Sequence, residues 1–144
     1  MSLQIFINGE YFAKEDAKVS VYDHGFLYGD GVFEGMRSYG GKIFRMQAHL
    51  DRLWDSAKAI CLEIPMSPEA VADAVNETLR RNDIQDGYVR LIVSRGAGTL
   101  GIDPNKTSNP QVIAIADHIS LYPCLLYTSD AADEHRDVGG GGGG

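Results

Sequence analysis

Short runs of alternating hydrophobic and polar residues fill the N-terminal part of the chain, a pattern typical of half-buried strands. Asn8-Gly9 separates the run Gln4-Ile5-Phe6-Ile7 from Tyr11-Phe12, which predicts a hairpin. Two further glycines, Gly40-Gly41, indicate another tight turn. The predicted extended segments are residues 4–7, 11–12, 18–21, 32–39 and 42–44, with a turn at 22–25.

Two amphipathic helices are predicted after these strands, because hydrophobic residues recur at helical spacing. The first runs from Met46 to about Cys61, and Cys61 is interpreted as a small buried hydrophobic residue on it. The second begins at Ser67-Pro68, where serine can cap the helix, and ends near Asn82. The residues expected to face the core are Leu50, Leu53, Trp54, Ala57, Ile60, Val71, Ala72, Val75 and Leu79.

Two longer strands are predicted in the C-terminal part. In residues 87–95 the hydrophobic residues alternate with a second set, so that the two faces differ. One face carries Val89, Leu91 and Val93; the other carries Tyr88, Arg90, Ile92 and Ser94. The unbroken apolar run at 112–116 predicts a strand buried on both faces. Together these elements predict an α+β, two-layer domain with a mixed or antiparallel sheet and two helices.

Composition and charge limit the classes of function that are expected for this chain. The chain has 144 residues with a formal net charge of -7, which offers no general basic surface for nucleic acid or an anionic membrane. It has neither a signal-peptide pattern nor an apolar run long enough to span a bilayer, so a cytoplasmic protein is expected. Two cysteines without metal-ligand spacing predict no metal site.

The last segment does not continue the pattern of the preceding chain. Residues 124–134 have neither helical nor strand periodicity, and the chain ends in six glycines, which cannot hold a fixed conformation. Residues 124–134 are similar to the conceptual translation of a sequencing adapter. We therefore expect one domain over 1–123, and we interpret 124–144 as a disordered artefact of sequencing.

The sequence Gly96-Ala97-Gly98-Thr99-Leu100-Gly101 follows a predicted strand and matches the spacing of a dinucleotide-binding loop. Such a loop must open a helix that faces the pyrophosphate. Pro104 and Pro110 prevent a helix of useful length here. A mobile or ligand-facing loop is the favoured interpretation.

Several single residues leave two interpretations open. Arg52 lies on the polar side of the first helix and could be a solvated residue. Arg90, in the middle of a strand beside Tyr88, needs either a carboxylate partner or an anionic ligand. His24 is interpreted as structural. The glycines of residues 28–35 indicate a backbone that approaches another strand or a ligand closely.

The ordered motifs resemble one enzyme family. Residues 23–35 (DHGFLYGDGVFEG), followed by Arg45 and by residues 49–57 (HLDRLWDSA), are similar to class IV, or fold type IV, pyridoxal-phosphate aminotransferases. Tyr88-Val89-Arg90 and residues 101–104 (GIDP) resemble the branched-chain amino acid aminotransferases of that family. The resemblance covers residues 3–123 and implies the small N-terminal domain, without the C-terminal one.

The resemblance also implies roles for individual residues. Arg52 would bind the phosphate of pyridoxal 5'-phosphate, and Arg90 would accept the second carboxylate of glutamate. The residue matching Tyr28 works in the partner subunit's site, which implies a homodimer or a larger homo-oligomer. The implied substrate-binding residues are Tyr28, Phe33, Tyr88, Arg90, Leu100 and Ile102.

The family's Schiff-base lysine belongs to the segment after residue 123, and no lysine of this chain has a matching context. The resemblance therefore implies a fragment, inactive alone, of an enzyme that transfers the amino group of leucine, isoleucine or valine to 2-oxoglutarate. Leu91 departs from the branched-chain pattern, where proline is frequent. The alternatives are a D-amino acid aminotransferase or aminodeoxychorismate lyase of the same family, and a non-catalytic binding or dimerisation module.

Overall fold

The structure is a computed structural model that describes residues 2–119. The segment 124–144 and the predicted end of the domain at 120–123 lie outside the described residues. The strands are β1 (Gln4–Ile7), β2 (Glu10–Ala13), β3 (Gly31–Tyr39), β4 (Lys42–Ile43), β5 (Gly87–Ser94), β6 (Ala97–Gly98), β7 (Thr107–Ser108) and β8 (Gln111–His118). The α-helices are α1 (His24–Tyr28), α2 (Met46–Ala59) and α3 (Pro68–Arg81).

Six of the strands form one sheet in the order β2-β1-β8-β5-β3-β4. Every neighbouring pair in it is antiparallel, so the α+β prediction is confirmed and the sheet is antiparallel rather than mixed. The predicted hairpin joins β1 and β2, and both Asn8 (φ 49°) and Gly9 (φ 93°) have the positive φ that a two-residue turn of this kind requires. The central strands β5 and β8 pair with each other, and each also pairs with an outer neighbour, β3 or β1.

Both long helices pack on one face of this sheet and form the core with it. Leu53, Val71 and Val75 of the helices are fully buried, and so are Val89 and Leu91 of β5. The helices begin and end close to the predicted positions. The Ser67 side chain accepts a hydrogen bond from the Ala70 backbone N–H at 3.1 Å, the cap that the sequence predicted for α3.

The opposite face of the sheet carries neither of the two long helices; among the described residues only the short α1 reaches it, where Gly25 lies against Ser94 at the end of β5. Tyr88 and Arg90 of β5 lie on it and are exposed, which confirms the two-faced strand. Ile115 of β8 also lies there and is 37% exposed, whereas Val112 and Ala114 are fully buried against the helices. The prediction of a strand buried on both faces was therefore wrong for this end of β8. We call this surface the open face.

Other local predictions differ from the structure. Residues 18–21 form no strand, although they alternate in polarity, because no neighbouring strand pairs with them in the described chain. The turn predicted at 22–25 lies slightly earlier, where Asp23 N–H donates to the Ser20 carbonyl at 3.0 Å. His24 and Gly25 already belong to the short helix α1, which Asp23 caps by accepting a hydrogen bond from Gly25 N–H at 2.7 Å. Cys61 lies beyond the end of α2 with a positive φ of 56°, and it is exposed rather than buried.

The glycine-rich loop after β5 does not open a long helix. It forms a two-stranded ladder, β6 with β7, and between these strands lies only a 3₁₀ turn at Pro104–Lys106. The absence of a long helix in this segment agrees with the rejection of a dinucleotide site. Across residues 2–119, no helix combines the length and the apolar character needed to cross a membrane.

Candidate functional site

Strands β3 and β5 place the predicted substrate residues on the open face. In their antiparallel register, Phe33 lies opposite Ile92, and Gly35 lies opposite Arg90. Since side chains alternate between the two faces of a strand, Phe33, Tyr88 and Arg90 share one surface. The structure therefore brings these three predicted residues together.

The Arg90 guanidinium contacts aromatic groups rather than a carboxylate. It lies 4.6 Å from the centre of the Phe33 ring, and its Nη2 donates a hydrogen bond to the Tyr88 hydroxyl at 3.1 Å. No ion pair among residues 2–119 involves Arg90. The hydroxyl proton of Tyr88 and the outer N–H groups of Arg90 are left to donate to an anion. Of the two interpretations of Arg90, the structure therefore favours the anionic ligand.

Gly35 allows this arrangement because it has no side chain. A Cβ at this position would overlap the phenol of Tyr88, which crosses over Gly35 to reach Arg90. The close approach predicted for the glycines of residues 28–35 is therefore realised here between two neighbouring strands.

Arg52 belongs to a separate network on the helix side of the sheet. Glu34 is 6% exposed and accepts hydrogen bonds from Arg52 Nε at 2.9 Å, Arg52 Nη2 at 2.8 Å and His49 Nδ1 at 2.7 Å. Burial raises the pKa of Glu34, but hydrogen bonds from Arg52 and His49 and their positive charge outweigh it and hold the pKa below its ordinary value. Glu34 therefore stays ionised and fixes the guanidinium, which remains 67% exposed with Nη1 free.

The edge of β3 connects the two networks. Glu34 directs its side chain to the helix side, whereas Phe33 and Gly35 belong to the open face. The short strand β4 pairs only with the last two residues of β3, so residues 31–36 form no ladder on their outer edge within the described chain. A ligand along this edge could contact Arg52 on one side and Arg90 on the other.

Tyr28, Leu100 and Ile102 lie apart from Arg90. They are 45%, 64% and 74% exposed, on α1 and on the glycine-rich loop, and they do not line the cleft of about 360 Å³ beside Phe33 and Arg90. Their exposure leaves them able to contact another surface.

Sequence reasoning missed the partner of Arg52. Glu34 occupies a core-facing position between Val32 and Met36, and a carboxylate at such a position needs a cation. The position of Glu34 in the alternating pattern of β3 was the available signal, but this pattern does not show which arginine pairs with Glu34.

It also missed a buried arginine at the end of β5. Arg95 forms an ion pair with Asp30 at 3.0 Å and donates hydrogen bonds to the carbonyl oxygens of Ile60 at 2.7 Å and Cys61 at 3.0 Å. Its partners lie in distant parts of the sequence, so no local pattern predicted them. Arg95 ties the loop before β3 and the end of α2 to the sheet.

The described residues contain no group of three or more histidine, cysteine, aspartate or glutamate side chains placed to hold a metal.

Comparisons with known proteins give this fold and site a context. The chain aligns over 83% of its length with a solved branched-chain amino acid aminotransferase of T.th., complexed with N-(5'-phosphopyridoxyl)-L-glutamate, with a TM-score of 0.77 and 36% identity. A candidate branched-chain-amino-acid aminotransferase of Methanocaldococcus jannaschii is 53% identical over 123 residues, or 85% of this chain. D-alanine aminotransferase of Staphylococcus haemolyticus is 36% identical over 114 residues, or 78% of this chain.

The fold is that of the N-terminal part of the branched-chain aminotransferases of fold type IV. The family model for amino-transferase class IV matches residues 31–130, and the chain belongs to this family. It spans less than half the length of the relatives named above: 42% of the M. jannaschii protein, 40% of the S. haemolyticus protein and 41% of the solved T.th. chain.

Proposed function

We propose that this chain is the N-terminal domain, residues 1–123, of a pyridoxal-phosphate-dependent branched-chain amino acid transaminase. The observation that carries the proposal is Arg90 on the open face, which has no carboxylate partner within residues 2–119 and is held by Tyr88 and Phe33. A partnerless guanidinium beside apolar walls suits a site for carboxylate-bearing substrates with apolar side chains.

The residues present fit the phosphate of the cofactor. Arg52 Nη1 has no hydrogen-bond partner among the described residues, Nη2 has only a long contact of 3.5 Å to His49 Nδ1 besides its bond to Glu34, and Glu34 fixes the plane of the guanidinium. Two parallel N–H donors on a fixed plane match the geometry of a phosphate. When bound, pyridoxal phosphate supplies the electron sink for proton removal at the amino acid Cα and carries the amino group between substrates.

The open face would accept both substrates of such an enzyme in turn. Phe33, Ile92 and Ile113 form an apolar row across three strands, next to the row that contains Arg90. The apolar row would contact the side chain of leucine, isoleucine or valine. Arg90 and the Tyr88 hydroxyl would instead bind the second carboxylate of glutamate or 2-oxoglutarate, which the apolar row alone would reject.

The lysine that holds the cofactor is proposed to lie elsewhere in the parent enzyme. All five lysines lie within the described residues, and none lines the cleft beside Phe33 and Arg90: Lys14, Lys18, Lys42, Lys58 and Lys106. Lys14 and Lys18 line the neighbouring cleft, which shares Ile92 and Ile113 with it. The chain alone should therefore be inactive. The proposal includes a cytoplasmic homodimer, in which Tyr28, Leu100 and Ile102 contact the substrate pocket of the partner subunit.

The alternative within the family is a D-amino acid aminotransferase or an aminodeoxychorismate lyase. The higher identity to the M. jannaschii protein, 53% against 36% for the D-alanine enzyme, favours the branched-chain reaction. The paired Tyr88 and Arg90 favour it as well. A non-catalytic module is not favoured by any observation on the described residues.

A chimera tests the proposed function. Residues 2–119 of this chain would replace the matching part of the M. jannaschii relative, and glutamate formation from 2-oxoglutarate would be measured with L-leucine or D-alanine as the amino donor. We expect the L-leucine reaction, with D-alanine at least about 100-fold slower because the pocket's contacts discriminate by several kcal/mol. The 144-residue chain alone should form no glutamate.

A matched control variant separates recognition from folding. Arg90→Gln in the chimera removes the positive charge beside Phe33 and Tyr88 and leaves Arg52 untouched. It should raise the KM for 2-oxoglutarate more than the KM for L-leucine. A chimera that prefers D-alanine, or an Arg90→Gln variant with an unchanged KM for 2-oxoglutarate, would contradict the proposed function.

A further inference from the structure

His24 connects two segments that the proposed function places at the partner's pocket. It is fully buried at the start of α1, and its Nε2 lies 2.7 Å from the carbonyl oxygen of Thr99. A carbonyl oxygen can only accept a hydrogen bond, so Nε2 must carry the proton and donate. On its other side the imidazole packs edge-on against Tyr28, with ring centres 5.1 Å apart.

The glycine-rich loop approaches the His24 ring closely at Gly98. A Cβ on Gly98 would lie 2.8 Å from the Lys106 carbonyl oxygen and 3.0 Å from His24 Nε2, so glycine lets the loop approach both its paired strand and the ring. The backbones are joined as well: Gly98 N–H donates to the Tyr22 carbonyl at 3.1 Å, and His24 N–H donates to the Gly96 carbonyl at 2.9 Å. No other side chain among the described residues donates to the loop carbonyls between 96 and 102.

We propose that His24 is a positioning residue that fixes Tyr28 and the 99–102 loop relative to each other. Its Nε2–H fixes the position of the loop through the hydrogen bond to the Thr99 carbonyl oxygen, and its ring fixes the orientation of the Tyr28 ring. Leu100 and Ile102 lie within three residues after Thr99 and are exposed, so the same hydrogen bond determines the direction of their side chains. The pocket role of these residues rests on the proposed function; the positioning itself does not.

Two substitutions separate the two contacts of His24. His24→Phe keeps a ring against Tyr28 and removes the donor, whereas His24→Gln keeps an N–H donor at a similar reach and removes the ring. In the ¹⁵N-labelled 144-residue chain, Gly98 amide exchange should become roughly five- to tenfold faster in His24→Phe, because one hydrogen bond that holds the loop is lost. The Tyr28 ring resonances should stay near their wild-type positions in that variant.

His24→Gln should show the reverse: Gly98 exchange close to wild type and shifted Tyr28 ring resonances. The Leu91 amide, in the middle of β5, is the internal control for global stability and should not change in either variant. Equal acceleration of Gly98 and Leu91 exchange would mean that His24 only fills space, and would overturn the proposal.

The wild-type chain gives an independent answer if a variant fails to fold. Imidazole ¹⁵N spectra should show the proton of His24 on Nε2, and a ring protonated on Nδ1 alone would overturn the proposal. These measurements involve neither cofactor nor substrate. A failure of the proposed function, seen in the chimera assay, would therefore leave their outcome unchanged.

Discussion

Replacing Arg95 by methionine should lower the free energy of unfolding by about 3–5 kcal/mol, the usual cost of removing one partner of a buried ion pair. Methionine would preserve most of the packing of the side-chain stem but none of its donors. Asp30 would lose its cation, and the carbonyl oxygens of Ile60 and Cys61 would lose their donors at the end of α2. The effect should be large because Arg95 joins three segments at once.

Urea unfolding followed by circular dichroism measures this change. Arg80→Met is the matched control, since Arg80 also pairs with a carboxylate, that of Glu77, but on the exposed side of α3. It should leave the urea midpoint almost unchanged. Equal shifts for the two variants would mean that the buried position of Arg95 does not matter.

Glu34→Gln should lower the free energy of unfolding by about 2 kcal/mol at neutral pH, because hydrogen bonds between charged groups are lost in a buried position. Glutamine is isosteric, so the packing around position 34 is kept. One of its two terminal atoms becomes a donor that faces the donors of Arg52, and the bidentate contact cannot survive. The Arg52 side chain should then sample several rotamers.

The pH dependence of this difference identifies the carboxylate as its source. The pKa of Glu34 is lowered in the folded chain, so its contribution is fully present above the ordinary value of 4.5 and is lost as the pH falls through the folded value. The stability gap between wild type and Glu34→Gln should therefore shrink as the pH falls below the ordinary value of 4.5. A gap that widens below this value would contradict the ionised state of Glu34.

The secondary structure followed from local patterns wherever one face of an element is buried. The alternation in β5 and the helical spacing in α2 and α3 report directly on the core, so these elements agree with the structure. Residues 18–21 alternate as well, but a strand needs a neighbour with free backbone groups, and polarity alone does not show whether one exists. Likewise, the apolar run of β8 did not reveal that neither long helix covers one of its faces.

The candidate site followed from sequence only in part. The family motifs brought Phe33, Tyr88 and Arg90 together, and the register of β3 and β5 explains why they meet. The ion pair of Glu34 with Arg52 joins residues 18 positions apart, on a strand and a helix. Such contacts depend on how layers pack, which periodicity within one element does not encode. The partners of Arg95 could not be predicted for the same reason.

We propose that this chain supplies phosphate- and substrate-binding residues, while the lysine for the cofactor lies in another part of the parent enzyme. Borohydride reduction of the chimera with pyridoxal phosphate, followed by peptide mass spectrometry, locates that lysine, because reduction fixes the cofactor on the lysine that holds it. We expect one labelled lysine in the portion from the M. jannaschii relative and none in residues 2–119. Stoichiometric label on any lysine of residues 2–119 would contradict it.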